Sequence, residues 1–251
     1  MDAYLDALEK EMMQCEEWLA GKQMVSVYVG GGTPTSLSEE QFERLMAMTE
    51  KYLPMEQSKE FTVEAGRPDS ITEGKLRSMK IHGVTRISIN PQSMKEHTLE
   101  LLGRKHTVEE IREKFMLART LGFDNINMDL IAGLPEETLE DFKETLREVE
   151  ALKPDSITVH TLVIKRASRL RKEQLEQGGE MREEDACIEP MQKEAEQFCR
   201  VHGYEPYYMY RQKNKAHTTR NTNQENVAYA KPGKECLYNI FIMEELQSIL
   251  A

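Results

Sequence analysis

Apolar side chains at Tyr4, Leu5, Leu8, Met12 and Leu19 recur at the spacing of one helix face, which predicts an amphipathic helix from the N-terminus to about Leu19. The period changes at Val25. A β-branched run to Val29 reads as a strand and then breaks into Gly30-Gly31-Gly32-Thr33-Pro34-Thr35. Ser38-Glu39-Glu40-Gln41 has the form of a capping box and opens a helix with apolar positions Phe42, Leu45, Met46 and Met48, ending near Tyr52-Leu53-Pro54.

The alternation then repeats. Glu60 to Glu64 predicts a strand, Thr72 to Ile81 a helix capped by Thr72, and Thr85 to Ile89 a further strand after Gly83. A helix from about Val108 to Thr120 closed by Gly122, a strand from Asn125 to Ile131, a helix from Leu139 to Leu152 and a strand from Ser156 to Leu162 complete the run. Strands alternating with helices are the signature of βαβ units, hence of a parallel sheet with right-handed crossovers and cover on both faces. A full or partial barrel and an open doubly wound sheet both satisfy the pattern, and both gather ligands at the carboxyl ends of their strands.

Polar residues collect at those ends: Gly30-Gly31-Gly32-Thr33, Glu64-Ala65-Gly66, Asn90-Pro91-Gln92, Asp129, and the stretch His160 to Val163. Singly, each suits a local role. Asn90-Pro91 is a turn former, Asp129 can satisfy neighbouring backbone, and glycines end a strand in a tight turn without any ligand. Together they point to a shared ligand site, in which the glycines let bare backbone approach a polar molecule. The run fits neither the dinucleotide fingerprint nor the P-loop, since no Lys-Ser or Lys-Thr pair follows Gly32.

Beyond residue 165 the rhythm weakens. Glu183 to His202 predicts a long helix, Tyr204 to Tyr210 an aromatic strand, Arg211 to Asn226 a polar loop, and Tyr238 to Leu250 a last helix still running where the chain stops, as expected of a piece of a longer protein. A length of 251 residues with 39% hydrophobic and 31% charged suits one large α/β domain or one domain with an appendage. The net charge of -11 opposes nucleic acid as a partner. No apolar run reaches membrane-spanning length and the N-terminus is not signal-like, so a cytoplasmic protein without a membrane partner is expected. Lys165-Arg166, Arg169 and Arg171-Lys172 form a local basic exception, either a solvated face or a contact for an anionic small molecule. The cysteines, Cys15, Cys187, Cys199 and Cys236, are too scattered for a disulfide framework or a closely spaced metal site.

In order and spacing, Gly30-Gly31-Gly32-Thr33-Pro34-Thr35, Val63-Glu64-Ala65-Gly66-Arg67-Pro68-Asp69, Arg86-Ile87-Ser88-Ile89-Asn90-Pro91-Gln92-Ser93 and Asn127-Met128-Asp129-Leu130-Ile131-Ala132-Gly133-Leu134-Pro135 resemble the radical S-adenosylmethionine superfamily. Within it they are similar to the oxygen-independent coproporphyrinogen III oxidases, over nearly the whole chain. Tyr207-Tyr208-Met209-Tyr210-Arg211-Gln212-Lys213-Asn214 and the stretch Glu225 to Gly233 resemble the HemZ branch. They depart from it at Ala228, where a glycine is expected, and between Lys215 and Gln224.

The resemblance implies an α/β fold: an incomplete partial (β/α)6 TIM-like barrel over residues 1–165, lacking the first strand and cluster loop and leaving one barrel edge unpaired, with a C-terminal α+β extension over 166–251. It implies S-adenosylmethionine and a [4Fe-4S] cluster as cofactors, a porphyrinogen substrate and an electron donor for the cluster. In that chemistry a 5′-deoxyadenosyl radical takes hydrogen from a propionate, carbon dioxide and an electron leave, and two vinyl groups result, giving protoporphyrinogen IX.

Residue by residue, Gly31, Gly32 and Thr33 match the family motif that receives the methionine amino group, and Glu64 matches a cofactor-binding carboxylate. Gln92 and Asp129 match the positions that hold ribose hydroxyls. Arg104 matches the arginine that pairs with the methionine carboxylate, a task for a planar fork that Lys105 cannot imitate. Val163 matches a position where backbone meets adenine. The family's C-x3-C-x2-C motif is absent, which implies a chain that starts downstream of it and does not by itself reduce S-adenosylmethionine. Two other readings stay open: a haem chaperone of HemW type, with His82, His97, His106, His160, His202 and His217 as candidate axial ligands, and a folded remnant without activity.

Overall fold

The computed structural model describes residues 1–162, 183–211, 225–245 and 247–250. Five strands, β1 (Ser26–Val29), β2 (Glu60–Gly66), β3 (Arg86–Ile89), β4 (Ile126–Ala132) and β5 (Ser156–Thr161), pair in parallel in chain order. Two more, β6 (Glu205–Arg211) and β7 (Glu225–Ala230), join them antiparallel, so that the seven-stranded sheet has the order β1-β2-β3-β4-β5-β7-β6. The sheet curls into a half-barrel. Helices α1 (Asp2–Leu19), α2 (Glu39–Tyr52), α3 (Glu73–Ile81), α4 (Glu96–Leu101), α5 (Val108–Thr120), α6 (Leu139–Leu152), α7 (Glu183–Val201) and α8 (Leu237–Glu244) accompany it.

Alternation along the strands decides how the two faces are used. Phe61, Val63, Ala65, Ile87, Ile89, Met128, Leu130, Ile157 and Val159 are buried in one apolar core with Phe42, Leu45 and Met46 of α2, Phe115 of α5 and Phe142 of α6. The intervening positions carry Glu60, Thr62, Glu64, Arg86, Ser88, Asn127, Asp129, Ser156, Thr158 and His160. The parallel register sets Glu64 beside Ser88, Ser88 beside Asn127, and Asp129 beside Thr158, giving a continuous polar surface. The sheet thus has one apolar face under helices and one polar face.

The caps predicted at Ser38 and Thr72 form. Ser38 Oγ accepts from Gln41 N at 3.2 Å while Gln41 Oε1 accepts from Ser38 N at 3.3 Å. Thr107 with Glu110 and Thr138 with Asp141 repeat this reciprocal pair, and Thr72 Oγ1 accepts from Lys75 N.

Three features depart from expectation. Helix α4 was not anticipated; it is short and lies between the Asn90-Pro91 turn and Gly103. The predicted polar loop ends in β7, whose Ala228 and Ala230 pair with Thr158 and Ser156 in antiparallel register. Residues 212–224 of that loop lie outside the described residues, as do Val163, the basic run from Lys165 to Lys172 and the side chain of Cys187. The last helix stops at Glu244, because Glu245 adopts a left-handed φ of 50°.

Strand β1 lies at one edge of the sheet, and α8 packs against both edge strands, β1 and β6. The Tyr238 ring stacks on Tyr28 with centroids 4.3 Å apart. Among the described residues no helix is long and apolar enough to cross a membrane.

Candidate functional site

The glycine run leaves β1 toward the polar face. A Cβ on Gly30 would fall 2.4 Å from Tyr28 Cε1 and 2.9 Å from Glu64 Cδ, whereas one on Gly31 or Gly32 would meet nothing within 4 Å. Gly30 therefore lets Tyr28 and Glu64 meet, and Gly31, at φ +84°, carries backbone past them into open space. The loop that follows is anchored from below. Thr35 Oγ1 donates to Ala65 O, and the Lys75 ammonium donates to Thr35 O at 2.7 Å and Ser70 O at 3.1 Å. Thr33 stands against Gly66, where an added Cβ would be 3.1 Å from Thr33 Cγ2.

Glu64 projects from β2, accepts a hydrogen bond from the Tyr28 hydroxyl, and is bonded by Gly31 backbone. Burial pushes its carboxyl above the ordinary carboxylate range, the Tyr28 hydrogen bond opposes that rise, and the Asp129 charge adds to it. Asp129 accepts from Asn127 Nδ2 at 2.7 Å and faces His160 Nε2 at 3.7 Å. Burial works against its charge, but His160, Asn127 and Thr158 together hold it below the usual range. Asn127 is itself locked: its Oδ1 accepts from Ser156 at 3.0 Å and Thr158 at 3.1 Å, and its amide also reaches Ser88 Oγ at 3.0 Å.

Gln92 prolongs β3 past the Asn90-Pro91 turn. Its N–H donates to Asp129 O and its C=O accepts from Ile131 N, both at 2.9 Å, with φ at +70°. The next residue holds it there: Ser93 Oγ donates to the buried Glu137 carboxylate and accepts from Lys95 N, while Met94 N donates to Thr145 Oγ1 of α6.

Arg104 follows α4 and is half-buried, with its guanidinium lowered in basicity first by burial and then by the neighbouring Arg67 charge. Among the described residues no ion pair reaches its side chain. Glu64, Gln92 and Asp129 thus meet in one bonded and charge-coupled group with Gly31, Thr33 stands at Gly66, and Arg104 lies beside Arg67, the residue after Gly66. Sequence reasoning missed Tyr28, Asn127, Arg67 and Asp69 here, and it named His160 without its partner Asp129. Polar residues at every second position of β2 to β5 were the signal that finds Asn127 and His160.

A sequence model of the Radical SAM superfamily matches residues 2–149. The chain belongs to the radical SAM superfamily. It is 45% identical over 251 residues to the oxygen-independent coproporphyrinogen-III oxidase-like protein HemZ of Bacillus subtilis, covering 99% of this chain and 48% of that protein. It is 38% identical over 165 residues to the haem chaperone HemW of Bacillus subtilis, covering 65% of this chain and 43% of that one. The half-barrel superposes on the coproporphyrinogen III oxidase HemN of Escherichia coli, described as a radical SAM enzyme, with a TM-score of 0.75 at 26% identity over 97% of this chain and 51% of that chain. This radical SAM chain therefore spans about half the length of the relatives it matches.

Proposed function

We propose that the chain holds S-adenosylmethionine along the carboxyl ends of β1 to β4 and serves a HemZ-type coproporphyrinogen III dehydrogenase. The observation that carries this reading is Arg104, a half-buried guanidinium that forms no ion pair among the described residues, on the rim that also holds the Glu64 and Asp129 carboxylates. A ligand with one carboxylate, one ammonium and a ribose diol complements that set. Arg104 engages the carboxylate through its fork, the open carbonyls of Gly31 and Gly32 with the Thr33 hydroxyl accept from the ammonium, and Asp129 with Gln92 hold the two hydroxyls. When bound, S-adenosylmethionine supplies radical chemistry through its reducible sulfonium.

The described cysteines do not fit a [4Fe-4S] cluster. Cys199 and Cys236 are fully buried, with thiols pushed up by burial to about 12 and about 11, and no three Cys, His, Asp or Glu among the described residues form a metal-holding group. No step is assigned to them.

Isothermal titration with S-adenosylmethionine tests the pocket: Arg104→Ala should weaken binding by about tenfold or more, the loss of roughly 1.4 kcal/mol. Unchanged affinity in Arg104→Ala overturns the assignment. Anaerobic turnover of coproporphyrinogen III by a HemZ-length protein containing this chain, read as protoporphyrin fluorescence, tests the reaction. HemW-type haem transfer is the second reading, supported by the HemW likeness, and tight stoichiometric haemin binding without turnover would favour it.

A further inference from the structure

Two guanidinium groups stand at the Arg104 corner, and the Asp69 carboxylate near them is already taken. Arg67 Nε donates to Asp69 Oδ1 at 3.0 Å and Arg67 Nη2 to Asp69 Oδ2 at 2.5 Å, so both carboxylate oxygens face Arg67. The turn carrying them is rigid: Ser70 N and Ser70 Oγ both donate to Arg67 O, at 3.0 and 2.7 Å, and Ile71 N donates to Pro68 O at 3.0 Å. His106 closes the third side, with Nδ1 3.6 Å from Asp69 Oδ1 and a fully buried ring on which neither nitrogen has a hydrogen-bond partner. Burial depresses the basicity of His106, with the Arg104 and Arg67 charges acting in the same direction and Asp69 opposing them. Arg104 is tethered close by, its N–H donating to Leu99 O at 2.9 Å two residues before that ring.

A carboxylate beside two arginines forms a fork-to-fork pair with one of them only. Had Asp69 paired with Arg104, a ligand carboxylate would have to share that guanidinium and its charge with Asp69. Because Arg67 holds it, the corner keeps one uncompensated positive charge, on the half-buried Arg104 rather than on Arg67, whose side chain is 40% exposed. We propose that Arg67 is a positioning residue for Arg104: by holding Asp69 it keeps the Arg104 guanidinium unpaired and open to a ligand carboxylate. This rests on the reading of Arg104 as a carboxylate receptor.

The test compares S-adenosylmethionine with its decarboxylated analogue, which lacks only that carboxylate. In Arg67→Ala, Asp69 is released toward Arg104; affinity for S-adenosylmethionine should fall about tenfold, and affinity for the analogue should stay within about twofold. Adding Asp69→Asn to Arg67→Ala should restore the parent affinity, and Asp69→Asn alone should bind at least as tightly as the parent. Equal losses with both ligands, or no rescue in the double variant, overturn the proposal. A ligand-free crystal structure of Arg67→Ala decides the rearrangement separately. Asp69 within 4 Å of Arg104 supports it, and Asp69 turned elsewhere sinks it even where the pocket reading stands. Should the parent bind neither ligand, the pocket reading falls and the crystal structure still judges the switch of partners.

Discussion

Asp129 of β4 and His160 of β5 face each other across adjacent strands, with His160 Nε2 3.7 Å from Asp129 Oδ2 on the polar side of the sheet. Burial alone would lower the basicity of this imidazole, but the facing Asp129 carboxylate and the Glu64 charge raise it above the ordinary histidine value. A raised folded-state value means that the pair stabilises the fold fully below the ordinary histidine pKa and ceases to do so as pH climbs through the raised one. Replacing Asp129 by Asn removes the main opposing cause, so the His160 titration should move below its ordinary value. Imidazole NMR titration of Asp129→Asn checks this, and an unmoved His160 curve would show that Asp129 is not the cause.

Tyr28 acts on Glu64 in the opposite sense. Its hydroxyl donates to a carboxylate that burial already drives toward protonation. Tyr28→Phe removes the stabilising bond, so the Glu64 pKa should rise further and the protonated, non-accepting form should persist to higher pH. Measured as S-adenosylmethionine affinity against pH, the acid limb of the Tyr28→Phe profile should lie to the right of the parent's. A coincident limb would remove Glu64 from ligand binding.

Gln92 isolates a backbone effect. Its φ of +70° is imposed by the ladder to Asp129 and Ile131 and by the Ser93–Glu137 anchor. A left-handed non-glycine residue carries about 1–3 kcal/mol of strain, more when β-branched. Gln92→Val should therefore cost about 1–3 kcal/mol in urea unfolding. Gln92→Gly should lie within about 1 kcal/mol of the parent, because relieved strain offsets the added freedom of the unfolded glycine. Equal stabilities of the two variants would show that the conformation is not the constraint.

Apart from the short α4, the helices and strands up to Thr161 were legible because their ends are punctuated: Ser38 and Thr72 cap, Gly83 and Gly122 close, and apolar positions keep one period per element. The gathering of strand-end polar residues was legible because a parallel sheet delivers every strand's carboxyl end to one rim. What escaped was choice of partner. Asp69 lies two residues from Arg67, but its third neighbour, His106, arrives from the far side of α4, and nothing local foretells that Arg104 beside it stays unpaired. Strand β7 escaped because Val227, Ala228 and Tyr229 give a weak strand pattern, and their pairing with β5 is set by tertiary fit rather than by chain order.

Glu60 offers a last case in which a distant residue completes an element. This 4% exposed carboxylate accepts from Leu237 N at 2.8 Å, from Tyr238 N at 3.3 Å and from Cys236 Sγ at 3.5 Å, serving as the N-terminal cap that α8 does not draw from its own N-cap residue. These acceptor oxygens sit at the helix N-terminus, where the dipole is positive, which strengthens the cap. Glu60→Gln keeps the shape but presents an amide N–H to backbone donors, at a cost of about 1–3 kcal/mol. Hydrogen exchange should then show Leu237 and Tyr238 amides exposed well before those of α2, whose cap at Ser38 is untouched. If α8 amides kept their protection in Glu60→Gln, the stacking of Tyr238 on Tyr28 would have to be holding the helix without the cap.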